Sequence, residues 1–204
     1  MIPQSQLIPR VLFFLALAVA IAGCDGPSGP TPQSGFAPQK AVSNIEGLKA
    51  ATQGNYNRFI SGGYYHYSRH LFYMREFAGD NVSLSGSTTD PLFYSYTLGH
   101  TKNQYNAENL WSLGYEIIHG TSRVIEEVDA GESTVRDQLL GENYFMRALV
   151  HFHLVNIFGR PYSQGRDNLG IPIVQSSDPD ETASRNTVGE VYDFIVEDLE
   201  RAAN

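Results

Sequence analysis

Between Asn106 and Gly131 the apolar residues fall on one face of a helix, and this stripe restricts the fold more than any other feature of the chain. Leu110, Gly114, Ile117, Thr121, Val124 and Val128 alternate steps of four and three, the spacing that aligns side chains along a helix. Trp111, Ile118 and Ile125 widen the stripe. Asn106 is placed to cap this helix, and Gly131 to end it. A second arm follows. Thr134 and Asp137 supply a cap and a first-turn acid. Val135, Leu139, Phe145, Leu149, Phe152 and Val155 are the expected inward side, and Gly159 and Pro161 stop the helix. The two long arms make a helical hairpin.

Shorter helices flank it. Ser43 and Glu46 have capping-box spacing and open a helix carrying Ile45, Leu48, Thr52, Tyr56 and Phe59, stopped by Gly62 and Gly63. Tyr64 to Gly79 is ambiguous, and could form a second helix packed on the first. Thr187 and Glu190 make another capping box, followed by Val188, Val191, Ile195, Leu199 and Ala202. Arg166 to Thr187 is a connector, because Gly170, Pro172 and Pro179 prevent a helix. Ile171, Ile173 and Val174 read there as a short extended piece. The last stripe reaches Asn204 without a partner arm, the pattern expected of a truncated or fragmentary protein. The fold class is all-α, with a long irregular excursion over Asp80 to Gln104.

That excursion is rich in Ser, Thr, Gly and Asn, and long segments of this kind inside helical frames are often functional. Asp80, Asn81, Tyr94 and Tyr96 supply what a sugar needs: polar partners for hydroxyls and ring faces for its apolar side. The competing expectation is that they only pack and cap the excursion. A ligand binder should expose coplanar rings here. An adaptor for protein partners should bury them and show a large apolar groove between helices. A hydrolase should set two carboxylates across a cleft.

The amino terminus carries its own message. Val11 to Ala22 reads VLFFLALAVAIA. At helical rise it spans about 18 Å, too short for the bilayer core and suited to a signal peptide. Ile21-Ala22-Gly23 then precede Cys24, the one cysteine of the chain. This resembles the lipobox of bacterial lipoproteins, in which that cysteine is lipidated. Residues 1–23 are then a signal segment. Residues 24–42 are a lipidated Cys and a Gly-, Pro- and Ser-rich tether, and residues 43–204 are the helical domain.

Other chemistries find little support. The net charge of -8 argues against a nucleic-acid surface, which needs a basic stripe. His66 and His70 would share a helix face, but read as two half-exposed side chains rather than a metal pair. His151 and His153 are two apart and point to different sides of a helix. Glu126, Glu127, Asp129 and Glu132, and Glu197, Asp198 and Glu200, fall on polar faces or beside them. No cofactor is implied and no enzyme activity is expected.

Gly141, Phe145 and Ala148 follow the small, aromatic, Ala spacing of the second helix of a tetratricopeptide repeat, although the link between the arms is longer than the repeat has. The run Gly141-Glu142-Asn143-Tyr144-Phe145-Met146-Arg147-Ala148-Leu149, continued by Phe152, Leu154, Phe158, Gly159 and Pro161, resembles the hallmark helix of the SusD/RagB family of outer-membrane nutrient-binding lipoproteins. Arg185-Asn186-Thr187-Val188 with Glu190, Val191, Tyr192, Ile195, Asp198 and Leu199 resembles the helix opening that follows in the family. His119-Gly120-Thr121-Ser122 stands where the family often has an Asn. The resemblance covers about residues 43 to 204, and family members are commonly more than twice this length. It implies a tetratricopeptide-like α-α superhelix and a lipid anchor at the cell outer membrane, facing the surface. It also implies capture of oligosaccharides or peptides for a SusC-like TonB-dependent transporter. The alternative from another class is a helical-repeat adaptor in an outer-membrane complex. Arg147 and Glu142, on the hallmark helix, are expected to be structural.

Overall fold

Among the described residues six helices carry the fold: α1 Ile45–Ile60, α2 Tyr67–Glu76, α3 Pro91–Tyr96, α4 Tyr105–Glu126, α5 Thr134–Phe158 and α6 Val188–Ala203. A 3-10 turn, Tyr162–Gln164, follows α5. The computed structural model describes residues 42–62, 66–86, 91–178, 180 and 183–204. The expected signal segment, Cys24 and the expected tether up to residue 41 lie outside these, as do Gly63 and Pro179. Among the described residues there is no strand, only one β-bridge between Leu169 and Thr187. The chain is all-α, as its periodicity predicts. Among the described residues no helix is long and apolar enough to cross a membrane.

Helix starts follow local capping chemistry, and several sit one or two residues from the expected position. Asn44, not Ser43, caps α1, its Oδ1 accepting from the Gly47 amide at 2.8 Å. Gln104, not Asn106, caps α4, because its Oε1 reaches the amides of both Asn106 and Ala107. Ser133, not Thr134, caps α5. Asp137 turns back to accept from the Gly131 amide at 2.7 Å. The capping box on α6 forms as read, with Thr187 accepting from the Glu190 amide and Glu190 from the Thr187 amide. α4 ends at Glu126, several residues before Gly131, which takes a positive φ of 85° in the link.

The core is built around α5, which packs on α4 and α6 and also touches α1 and α2. The α4 stripe is buried throughout: Leu110, Gly114, Ile117, Thr121, Val124 and Val128. The α5 stripe meets expectation only in part: Leu139 and Val155 are buried as read. Val135, Phe145 and Phe152 are 43%, 46% and 39% exposed, while Asn143, Met146, Arg147, Val150, His151 and Leu154 are buried. A helix flanked by neighbours on several sides buries a broad arc, so the side left to solvent is narrow. It happens to carry the two Phe rings. Small residues mark the close approaches. A Cβ on Gly114 would stand 3.0 Å from Leu154, and one on Gly141 3.0 Å from the Ala202 carbonyl of α6.

Buried polar side chains tie the helices to one another. Asn143 Nδ2 donates to Thr52 Oγ1 and to the Leu139 carbonyl, and Asn55 Nδ2 donates to Asn143 Oδ1. This network joins α1 to α5. Arg147 on α5 and Asp198 on α6 form a two-pronged ion pair, with Nε and Nη2 at 2.7 and 2.8 Å from the two carboxylate oxygens. Arg147 is thus structural, as expected. The charge is fully enclosed, the arrangement in which such a pair needs near-ideal geometry.

Candidate functional site

The described residues 77–86 and 91–104 lie between α2 and α4 outside the long helices, and the anchor of the second stretch is Asn106. This side chain is buried in the first turn of α4. Its Nδ2 donates to the Pro91 carbonyl at 3.1 Å and to Ser95 Oγ at 3.3 Å. With Nδ2 so engaged, Oδ1 is the acceptor for His70 Nδ1 at 3.3 Å. Asn106 therefore ties α2, α3 and α4 together and is no helix cap. His70 is fully buried, with its ring edge-on to Tyr105 at 5.3 Å. Burial holds its pKa below the ordinary value, partly offset by the Asn106 bond. His66 caps α2 by accepting from the Arg69 amide. His66 is thus a half-exposed cap, as expected, while His70 is a core residue, which corrects the expectation that it too is half-exposed.

The middle of the excursion is helical where an irregular path was expected. The short helix α3 carries Tyr94 and Tyr96, 43% and 41% exposed, with Phe93 beside them at 39%. Two residues on a helix are separated by about 200° around its axis, so the two tyrosines do not share a plane. Phe93 and Tyr94 meet at 80° with centroids 6.1 Å apart. α3 closes on Leu98, whose φ of 54° is uncommon for a branched residue. Asp80 and Asn81 are exposed in the turn that follows α2. The structure thus displays all four candidate side chains to solvent, on the turn and on α3, without bringing the two rings into one platform.

Asn106→Ala would leave the His70 Nδ1 donor buried without its acceptor and free the Ser95 and Pro91 ends of α3. The expected cost is roughly 1–3 kcal/mol, with faster proteolysis confined to residues 77–104. Urea denaturation and limited digestion read this out. Cleavage unchanged from the parent would show that the anchor lies elsewhere.

Beside the excursion is a cavity of about 570 Å³. His100, Thr101 and Lys102 of the returning leg form one side, and Ala107, Glu108, Trp111 and Ser112 of α4 another. The end of α5, with Ile157 and Phe158, and the connector, with Pro172, Ala183 and Arg185, complete it. Trp111 is wedged between Phe158, edge-on at 5.2 Å, and Tyr115, tilted at 4.9 Å. The Tyr115 hydroxyl donates to the Pro172 carbonyl at 2.8 Å, and burial pushes its pKa up. Arg185 lies over the Trp111 ring at 5.8 Å. The sequence placed Trp111 in the helix stripe and Arg185 in a helix-opening motif. Lys102 carried no signal at all, since only folding brings it near either.

Several of the carboxylates weighed for hydrolysis are engaged in the scaffold. Glu126 accepts from the Ser177 amide at 2.8 Å and from its hydroxyl. Asp198 holds Arg147, and Glu197 pairs with Arg201 along α6. His151 and His153 do point to different sides, His151 toward Phe194 of α6 and His153 toward Tyr67 of α2. Among the described residues no group of His, Cys, Asp and Glu is arranged to hold a metal ion.

Comparison with known proteins agrees with this architecture. A model of the SusD-like family, described as starch-binding and associating with the outer membrane, matches residues 47–204. SusD-like protein P2 of Formosa agariphila is 24% identical over 196 residues, covering 93% of this chain and 36% of that protein. A SusD superfamily protein from Bacteroides vulgatus superposes with a TM-score of 0.68 at 27% identity, over 78% of this chain and 37% of the other. Another Bacteroides vulgatus protein, described as sugar binding, gives 0.68 at 28% identity, over 79% and 37%. The chain thus spans little more than a third of the length of these relatives. With the helical order, the α5 motif and the family match over nearly all of the helical domain, the chain belongs to the SusD-like family.

Proposed function

We propose that this protein is a nutrient-binding lipoprotein that captures oligosaccharides at the cell surface and passes them to a TonB-dependent outer-membrane transporter. The match of residues 47–204 to a family described as starch-binding carries this reading. Exposed Tyr94 and Tyr96, with Asp80 and Asn81 nearby in the chain, support it as a ligand surface. Each ring offers one stacking face, and the polar pair offers partners for hydroxyls. In this reading Cys24 carries the lipid that holds the protein at the membrane, α1 to α6 are scaffold, and binding involves no covalent chemistry.

The adaptor alternative has one observation in its favour. Tyr56, Gly141, Phe145 and Leu199 line a groove of about 650 Å³ between α1, α5 and α6. The exposed rings of α3 are what it does not predict.

The test is binding of the chain from Asp25 onward, first shown to be folded, to a panel of polysaccharides and peptides. Saturable glycan binding is expected, weakened roughly 3- to 10-fold by Tyr94→Ala or Tyr96→Ala. Peptide binding alone would change the ligand class. Glycan binding unaffected by both substitutions would remove α3 from the site.

A further inference from the structure

We propose that the cavity beside Trp111 binds a uronic-acid unit of an acidic saccharide, its carboxylate held by Arg185 and Lys102. This rests on the saccharide reading above and adds the charge of the ligand and the place where it is read.

The cavity, about 570 Å³, falls within the range of small-ligand sites. Its walls are apolar where Trp111, Ile157, Phe158 and Pro172 line it, and the carbon-bound hydrogens of a pyranose ring suit such a surface. Its charge runs against the rest of the molecule. The chain carries a net charge of -8, yet the described lining residues include two cations, Lys102 and Arg185, and one carboxylate, Glu108. A local excess of positive charge on an acidic protein selects for anionic ligands and speeds their arrival.

Arg185 is prepared for the task. Its Nη1 donates to the Phe158 carbonyl at 3.1 Å and the Gly170 carbonyl at 2.8 Å, and its guanidinium rests over Trp111. One arm of the fork is thereby pinned to the end of α5 and to the connector. The Nε and Nη2 edge is the one that matches a carboxylate with two parallel bonds. A side chain already held in place loses little entropy on binding. Five arginines of the described residues are each set against a carboxylate: Arg58, Arg136, Arg147, Arg166 and Arg201. Among the described residues, Arg185 and Lys102 have no such partner.

The experiment titrates the full chain, in detergent, with oligouronates (galacturonate, glucuronate and mannuronate series) and with neutral hexose oligomers, by calorimetry at two salt concentrations. Oligouronates should bind more tightly than neutral oligomers and weaken as salt rises. Arg185→Lys, which keeps the charge and loses the fork, should weaken them roughly tenfold. Lys102→Gln, at an exposed position that perturbs no packing, should weaken them roughly fivefold, and Glu108→Gln should tighten them. A preference for neutral oligomers, or uronate binding indifferent to all three substitutions, overturns the proposal. Binding of neutral glycans alone, lost in Tyr94→Ala, leaves the saccharide reading standing while overturning this one. Absence of binding to every saccharide overturns both.

Discussion

Replacing Asp198 by Ala is expected to cost about 3–5 kcal/mol of folding stability, a large share of the roughly 5–15 kcal/mol that holds a domain together. The reason is what would remain. Arg147 is 2% exposed and Asp198 fully buried, and the guanidinium lies between the rings of Tyr144 and Phe194, at 5.4 and 5.2 Å. Its third nitrogen has only long contacts to spend, 3.3 Å to Ser122 Oγ and 3.4 Å to the Gln175 carbonyl. Without the carboxylate a permanent cation is enclosed by apolar walls, and neither contact offsets it. Removing both charges should be far milder: Arg147→Met with Asp198→Leu leaves no orphan, and such apolar replacements are often neutral or stabilising. Chemical denaturation of the single and double variants measures both. A single variant within 1 kcal/mol of the parent would mean that water reaches the pair. The pair joins α5 to α6, and through Ser122 and Gln175 it also reaches α4 and the connector, so its loss should loosen the walls of the Trp111 cavity.

Acidification from pH 7.5 to 5 should weaken the fold by roughly 2 kcal/mol through His151 alone. His151 is fully buried, with Nδ1 donating to the Arg147 carbonyl at 2.8 Å. Its Nε2 is enclosed without a partner among the described residues. Burial lowers its pKa from 6.5 to about 4, and the neighbouring guanidinium adds to this while the carbonyl bond opposes it. The unfolded chain therefore binds a proton that the folded chain refuses. Stability is complete above pH 6.5 and is lost progressively as the pH falls toward 4. His153 behaves in the same sense, its pKa also lowered to about 4 by burial and by Arg75. It is half-buried, so solvent screens it and its share is smaller. Denaturant midpoints across this range give the energy, and the imidazole proton resonances give the assignment. A His151 resonance titrating near 6.5 in the folded protein would defeat the explanation.

Much of the frame was legible before folding. The α4 stripe and the Thr187–Glu190 box depend on neighbours three and four residues apart, so spacing alone reveals them. The caps of α1, α4 and α5 were displaced because adjacent residues compete for the same amides, and hydrogen-bond reach decides between them. Asp80, Asn81, Tyr94 and Tyr96 were correctly taken as residues of a surface excursion. Their mutual geometry was not legible, since it follows from the helical turn of α3 and from its tether to Asn106.

The α5 helix shows where local reading ends. Its sequence determined that a long helix forms and where it stops. It did not determine which side faces inward, because Phe145 and Phe152 are as apolar as any core residue, and Arg147, Asn143 and His151 look like surface. Only the tertiary structure supplied Asp198, 51 residues away, to neutralise Arg147, and Asn55 and Thr52, about 90 residues away, to satisfy Asn143. Likewise Lys102, Trp111 and Arg185 belong to three segments that meet only after the helices pack. Helix formation is governed by neighbours along the chain. Burial of a polar group is governed by the partner that meets it in space, and such a partner leaves no mark at a fixed spacing.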